Sequence, residues 1–260
     1  MFRVISLNAN GIRAAARKGF FEWLKIQNAD VVCIQETKAQ EYQLIDKCFW
    51  PAGYYCYYRD AEKKGYSGVA IYTRHKPLRI VKGIGNLEFD NEGRYIEICL
   101  GNISVVSLYL PSGSSGEVRQ EFKFRSMDIF RKHLKKLKRR KAEFILCGDW
   151  NIAHKKIDIK NWRGNKRNSG FLPEERKWMD DLFNIENYID AFRNINKNED
   201  QYTWWSNRGR AWEKNVGWRI DYQVVTPKLK NKILNSNIFK NDRFSDHAPL
   251  IIDYDWNLLR

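Results

Sequence analysis

The polar residues of this chain with the most chemical potential come in short clusters, each placed where an apolar strand-like run stops. They read Leu7-Asn8-Ala9-Asn10-Gly11, Gln35-Glu36-Thr37-Lys38, Gly148-Asp149-Trp150-Asn151-Ile152-Ala153-His154, Arg219-Ile220-Asp221-Tyr222 and Ser245-Asp246-His247. Strand-like runs cover about residues 2–7, 31–35, 69–72, 95–100, 103–109, 144–147, 202–205, 220–225 and 250–254, and many have two apolar faces. Helical patterns fall between them at about 18–28, 117–139 and 173–184. In the second, Met127, Phe130, Leu134 and Leu137 recur at helical spacing and predict one buried stripe. In the third, Pro173 followed by Glu174 and Glu175 marks a helix start. Mixed strands with interleaved helices, in more strands than one ordinary sheet holds, predict the α/β class and a four-layer α/β sandwich: two packed mixed β-sheets flanked by helices. No internal repeat, low-complexity tract or long Pro/Gly-rich linker cuts the chain, so residues 1–260 are expected to form a single domain.

A net charge of +15 predicts attraction to a polyanion and steep salt dependence of binding. Nucleic acid is the natural candidate. An anionic membrane is the weaker one, because no apolar run reaches the roughly 18 residues of a spanning helix and the N-terminus lacks a signal-peptide core. The expectation is a soluble monomer of the bacterial cytoplasm, associated with the nucleoid. The cysteines, Cys33, Cys48, Cys56, Cys99 and Cys147, are odd in number and form no C-x-x-C, so they predict neither a disulfide framework nor a zinc site. Those in apolar runs are expected as buried thiols.

Hard oxygen ligands and one histidine, delivered by strand ends far apart in sequence, are the equipment of magnesium-assisted phosphodiester hydrolysis. Asn8 and Asn10 follow a strand and precede Gly11, which lets the backbone turn sharply; taken alone this reads as an ordinary Asn-Gly turn. Glu36 closes an apolar run, where a carboxylate must be paired, metal-bound or solvated. Alternation places Asp149 and Asn151 on one face of an extended segment, able to hold one small ligand such as a water. Asp221 lies inside a strand and needs a partner; His247 is the natural one, its ring held in one tautomer and its charge supported.

The clusters recur in an order that resembles the exonuclease III family of apurinic/apyrimidinic (AP) endonucleases, within the endonuclease/exonuclease/phosphatase superfamily. Further motifs carry the resemblance: Gly65-Tyr66-Ser67-Gly68-Val69, Tyr109-Leu110-Pro111, Gly164-Asn165-Lys166-Arg167-Asn168-Ser169-Gly170-Phe171, Asn215-Val216-Gly217-Trp218 and Ser245-Asp246-His247-Ala248-Pro249. The resemblance implies cleavage of the DNA backbone 5′ to abasic sites, leaving a 3′-hydroxyl and a 5′-deoxyribose phosphate, with 3′-phosphodiesterase, 3′-phosphatase and 3′→5′ exonuclease side activities. A 3′→5′ exonuclease with little preference for abasic sites is the alternative. It implies Mg²⁺, with Mn²⁺ as a substitute, held mainly by Glu36 with Asn10 and Asp246 nearby and Asn8, Asp149, Asn151 and His247 around it. It implies Tyr109, Asp149, Asn151, Asp221 and His247 as the catalytic set. It also implies an abasic-sugar pocket at Trp204, Trp218 and Ile220, and contacts to double-stranded DNA from Arg13, Lys38, Tyr66, Asn165, Lys166, Asn168 and Arg208. Trp178 and Trp205 are expected in the core. Three departures from the family pattern stand out: Asn10 stands where animal members carry an aspartate, Trp204 stands where a phenylalanine is common, and the loop Ser112-Gly113-Ser114-Ser115 lacks the arginine that animal members place soon after Tyr109.

Overall fold

The computed structural model describes residues 1–258. One six-stranded sheet carries, in spatial order, β13 (Ile233–Ile238), β14 (Leu250–Tyr254), β1 (Phe2–Asn8), β2 (Val31–Gln35), β4 (Val69–Thr73) and β3 (Tyr55–Arg59). The other carries β5 (Arg79–Lys82), β6 (Tyr95–Cys99), β7 (Ile103–Tyr109), β8 (Glu143–Asp149), β12 (Asp221–Val225) and β9 (Ile189–Asp190). Both are mixed: β1 runs parallel to β2, and β7 to β8, among antiparallel neighbours. A separate two-stranded ribbon pairs β10 (Trp204–Trp205) with β11 (Gly217–Trp218).

The period of two along each central strand separates its residues between two cores. Val4, Val31, Cys33, Val69 and Ile71 of the first sheet face Ile96, Ile98, Val105, Ile145 and Cys147 of the second. The alternate residues Ile5, Leu7, Val32, Ile34 and Tyr72 face outward, under α1 (Ile12–Arg17) and α2 (Phe20–Lys25) with Phe20, Trp23 and Leu24. On the far side Val106, Leu108, Phe144, Leu146 and Val224 lie under α4 (Glu117–Leu137) and α5 (Pro173–Asn184). The short α3 (Leu87–Asp90) adds Phe89 to that outer core, and α6 (Ala191–Ile195) adds Phe192 to the inner one. These are the four layers expected from the sequence. Buried glutamines carry polar links across the largely apolar gap between sheets. Gln35 donates to Ser107 Oγ at 2.9 Å, and Gln223 donates to the Val4 carbonyl at 2.9 Å while accepting from Tyr254 at 2.9 Å.

The expected elements differ from the structure mainly at the edges. β3, β5 and β13 carry no apolar periodicity, because as border strands they expose much of their length. The helix expected at 18–28 is shorter and separate from α1, with the chain turning between them at Gly19. Cys33 and Cys147 are buried, but Cys99 is partly exposed at the end of β6. Trp178 and Trp205 are core residues. Among the described residues no helix is long and apolar enough to cross a membrane.

Behind the start of β12 lies a buried ionic cluster. Arg219 donates from Nε to Asp158 at 2.8 Å and from Nη2 to Asp190 at 2.6 Å, and Arg193 reaches Asp158 at 2.9 Å. Burial works against the Asp158 carboxylate, but the two guanidiniums outweigh it and hold its pKa at about 2. A folded-state pKa below the unfolded value, about 3.9, means that the stabilisation is full above that value and lost as pH falls through about 2. Replacing Asp158 with Ala leaves Arg219 buried with one carboxylate fewer, and is expected to cost about 3–5 kcal/mol in urea unfolding at neutral pH, with a smaller difference from wild type below pH ~3.

Candidate active site

Strand register assembles the site. Asp149 closes β8 between Tyr109 on its parallel neighbour and Asp221 on its antiparallel neighbour. Asn8 closes β1 beside Gln35, and Glu36 follows at once. The Asn8 amide then bridges the two sheets, donating to Glu36 Oε1 at 2.8 Å and to Asp149 Oδ2 at 2.9 Å, while its own oxygen accepts from the Asn10 N–H at 2.9 Å. Three of the residues gathered here, Asn10, Glu36 and Asn151, have left-handed backbones with φ of 43°, 49° and 53°. Such conformations persist only where the surroundings over-determine them. Around Glu36 the bonds from Gly11 N to Glu36 O (2.8 Å), Thr37 N to Gly68 O (3.1 Å) and Lys38 N to Ser67 O (2.9 Å) do so.

The left-handed turn at Asn151 corrects one expectation. Asp149 and Asn151 do not meet by strand alternation, because β8 ends at Asp149. They meet in a turn, where the Asn151 N–H donates to Asp149 Oδ1 at 2.8 Å and its side-chain amide to Asp149 Oδ2 at 3.2 Å and Leu110 O at 2.9 Å.

His247 sits opposite. Its Nδ1 is 2.8 Å from Asp221 Oδ2, and its Nε2 is 3.9 Å from Asp149 Oδ2. Thr203 Oγ1 accepts from the N–H groups of both Ile220 and Asp221 at 3.1 Å, which fixes the start of β12. Burial alone would push the imidazole pKa down, but Asp221, then Asp149 and Asp246, raise it to about 10, so the ring is a cation at neutral pH. Burial, joined by Asp221 and opposed by His247, raises Asp149 to about 7. Burial also works against the Glu36 carboxylate, yet Lys38 and Asn8 outweigh it and lower its pKa; for Asp246 it is His247, Asn10, Trp204 and Ser245 that do so.

Two places are candidates for a cation. Atoms of Asp149, Asp221 and His247 lie within 4.8 Å of one another. There, however, the histidine is itself charged and its Nδ1 is engaged by Asp221. At the other, the Lys38 ammonium bonds both Glu36 Oε2, at 2.7 Å, and Asn10 Oδ1. Asn10 in turn donates to Asp246 Oδ1 at 2.9 Å. A positive group already rests on this set of hard oxygen donors, so the residues fit a small divalent ion.

The two constellations open into one cavity of about 690 Å³, walled on one side by Trp204, Trp218 and Ile220. The Trp204 and Trp218 rings meet edge to face at 6.0 Å, and the Trp204 indole donates to Asp246 at 3.1 Å, tying the wall to the cation site. Tyr109, Asn151 and Asn168 also line the cavity. The other residues expected on DNA lie around it. Arg13 is exposed on α1 and its guanidinium reaches Lys38 O at 3.4 Å. Tyr66 accepts from Arg119 at 2.8 Å and Arg94 at 3.1 Å. Asn165 and Arg208 line a neighbouring cavity of about 460 Å³ that shares Trp204 and Trp218 with the first, and the Lys166 ammonium stands 4.9 Å from the Trp162 ring centroid.

Several contributors escaped the sequence. Arg94, fully buried, places its guanidinium 4.5 Å from the Tyr109 ring centroid and donates to the Tyr109 carbonyl at 3.0 Å. Thr203 and the buried pair Lys123 and Glu175 act through backbone atoms of the site. Lys123 carried a usable signal: it lies four residues before Met127, on the stripe that continues through Phe130, Leu134 and Leu137.

The sequence profile described as the Endonuclease/Exonuclease/phosphatase family matches residues 5–247. An exodeoxyribonuclease of Bacillus subtilis (strain 168) is 39% identical over 250 residues, covering 95% of this chain and 97% of the relative. A DNA-(apurinic or apyrimidinic site) endonuclease of Dictyostelium discoideum is 38% identical over 259 residues, covering 98% of this chain and 71% of the relative. Among solved structures, an AP endonuclease from Archaeoglobus fulgidus superposes with a TM-score of 0.89 at 27% identity, over 98% of this chain and 100% of that one.

The His247 environment generates a direct test. In a pH titration followed by ¹⁵N imidazole shifts, the His247 ring is expected to stay protonated well past pH 8 and to titrate near the value of about 10. In Asp221→Asn the midpoint should fall clearly below that value, since burial is then opposed only by Asp149 and Asp246.

Proposed function

The chain belongs to the endonuclease/exonuclease/phosphatase family and is a nuclease of the exodeoxyribonuclease and AP endonuclease group, and on that premise we propose that it cleaves the DNA backbone 5′ to abasic sites. The observation that carries this reading is the continuity of one cavity from His247 and Asp149 to the Trp204–Trp218 wall. A sugar without a base is unstacked at lower cost than a normal nucleotide, and an indole-walled recess beside the phosphate groups suits it. The net charge of +15 supports duplex DNA as the partner, held mainly through its phosphates and so without regard to sequence. The side activities at blocked 3′ ends and in 3′→5′ exonuclease action follow from the same chemistry on a terminal phosphodiester. The protein is proposed to act as a monomer and as a single domain.

In this reading Asp149, with its carboxylate steered by Asn8 and Asn151, orients a water toward phosphorus and takes its proton. The bond between phosphorus and the 3′-oxygen breaks, and the leaving oxygen takes up a proton from solvent, giving a 3′-hydroxyl and a 5′-deoxyribose phosphate. The charge that gathers on the phosphoryl oxygens faces the imidazolium of His247, kept cationic by Asp221, and the phenol of Tyr109. Glu36, with Asn10 and Asp246 nearby, would hold Mg²⁺ or its substitute Mn²⁺, which would supply Lewis-acid stabilisation of the same charge. Lys38, freed from Glu36 and Asn10, would then be available to a DNA phosphate, as are Arg13, Tyr66, Asn165, Lys166, Asn168 and Arg208.

An end-labelled duplex with one abasic-site analogue tests the proposal beside an undamaged duplex. Single incision 5′ to the lesion, abolished by EDTA and lowered at least 100-fold in kcat by His247→Ala, is expected. Equal degradation of both duplexes from their 3′ ends would instead establish the exonuclease alternative. Asn10→Asp adds a negative charge beside Glu36, so half-activation is expected at several-fold lower Mg²⁺; an unchanged Mg²⁺ curve would remove Asn10 from the ion's surroundings.

A further inference from the structure

A buried ion pair stands behind the site and reaches it through backbone atoms. Lys123 on α4 and Glu175 in the first turn of α5 are both fully buried and bonded at 2.5 Å. A lysine this deep is costly unless every donor is used. Its Nζ also donates to the backbone carbonyl of Asn151 at 2.8 Å, at the left-handed residue whose side chain steers Asp149. The other oxygen of Glu175 accepts the N–H groups of Gly170, at 2.7 Å, and Leu172, at 3.0 Å. Gly170 has φ +92°, and a Cβ there would lie 3.0 Å from the Trp218 ring and 3.1 Å from Asn151 O. Gly170 O in turn accepts from Ala153 N at 2.7 Å. The pair therefore grips, at one point, the turn that carries Asn151 and the loop on which Trp218 rests.

We infer that Lys123 and Glu175 are positioning residues that set the Asn151 turn and the Trp218 wall relative to each other, so that water alignment and the choice of abasic sugar over intact nucleotide are governed together. The inference rests on the proposed function for its substrates. A pair that merely fastened α4 to α5 would lower both activities of the enzyme alike when weakened. A positioning pair changes kcat more than KM and changes the ratio of the two activities, because misplacement by a fraction of an ångström acts on the reacting geometry and on the wall separately.

The test compares abasic-site incision with removal of undamaged 3′ nucleotides by the Mg²⁺-loaded enzyme. The double variant Lys123→Met with Glu175→Gln removes the pair without stranding a buried charge, and the glutamine oxygen can still accept from Gly170 and Leu172. Its kcat for abasic incision is expected to fall about tenfold or more, with KM within about twofold, and the incision-to-exonuclease ratio to fall as well. Lys123→Arg, which keeps donors for both Asn151 O and Glu175, should lose less of both quantities than the double variant. Glu175→Asp keeps every charge but shortens the reach to Gly170, and should lower the same ratio; this variant decides the matter if the double variant does not fold. Unchanged kcat and ratio in the folded double variant or in Glu175→Asp, or equal loss of both activities there, would overturn the inference. A wild type that degrades both duplexes alike from their 3′ ends would sink the abasic reading instead, and the kcat of the exonuclease step would still report on the pair.

Discussion

Apolar packing between two sheets is non-directional, and by itself it fixes neither how far one sheet slides along the other nor by how much it rotates. Two glutamines supply what it lacks. Gln35, from the first sheet, reaches Ser107 of the second, and Gln223, from the second, reaches the Val4 carbonyl of the first. Each is fully buried, so a misaligned arrangement would leave their amides unsatisfied in a dry layer at about 1–3 kcal/mol per group. The site depends on this alignment, because its two halves belong to different sheets: Asn8 and Glu36 end strands of one, and Tyr109, Asp149 and Asp221 lie on strands of the other.

Once the sheets are aligned, the site solves a charge problem. Among the described residues, Glu36, Asp149, Asp221 and Asp246 converge with two cationic side chains, Lys38 and His247, in direct contact. The Asn8 amide separates Glu36 from Asp149 by donating to both. Asp221 spends itself on His247, converting a neutral ring into a cation, and the pKa of Asp149 is raised by its burial first and by repulsion from Asp221 and Glu36 second. This divides four carboxyl groups into unlike states by environment alone: one basic near neutrality, one bound to a histidine, and two held ionised at the candidate cation position.

Much of this was legible in the sequence because strand ends and chemistry coincide. The apolar runs located every central strand, and the clusters at 8–10, 36, 149–151, 221 and 246–247 do converge. Asp221 did need a partner, and the partner is His247. The border strands were invisible because exposure erases the period of two, and α1 because six residues, Ile12–Arg17, are too few to display a helical period. Arg94 and Thr203 were missed for a different reason: each acts by hydrogen bonds to backbone that its own sequence neighbourhood does not reveal. Lys123 was the recoverable case, a lone cation on an apolar helical stripe.

The left-handed backbones at Asn10, Glu36 and Asn151 bear on how this protein can be improved. Asn tolerates that region better than most residues, whereas Glu does not, so Glu36 holds a strain of order 1–3 kcal/mol against a framework of backbone bonds. Glycine at any of the three would relieve strain and delete a working side chain in the same step. The mouth of the sandwich is thus a place where thermostability and activity trade against each other. Selection for heat resistance alone would be drawn toward these positions, and a thermostable variant that keeps its chemistry must find its gains on the outer helices and border strands.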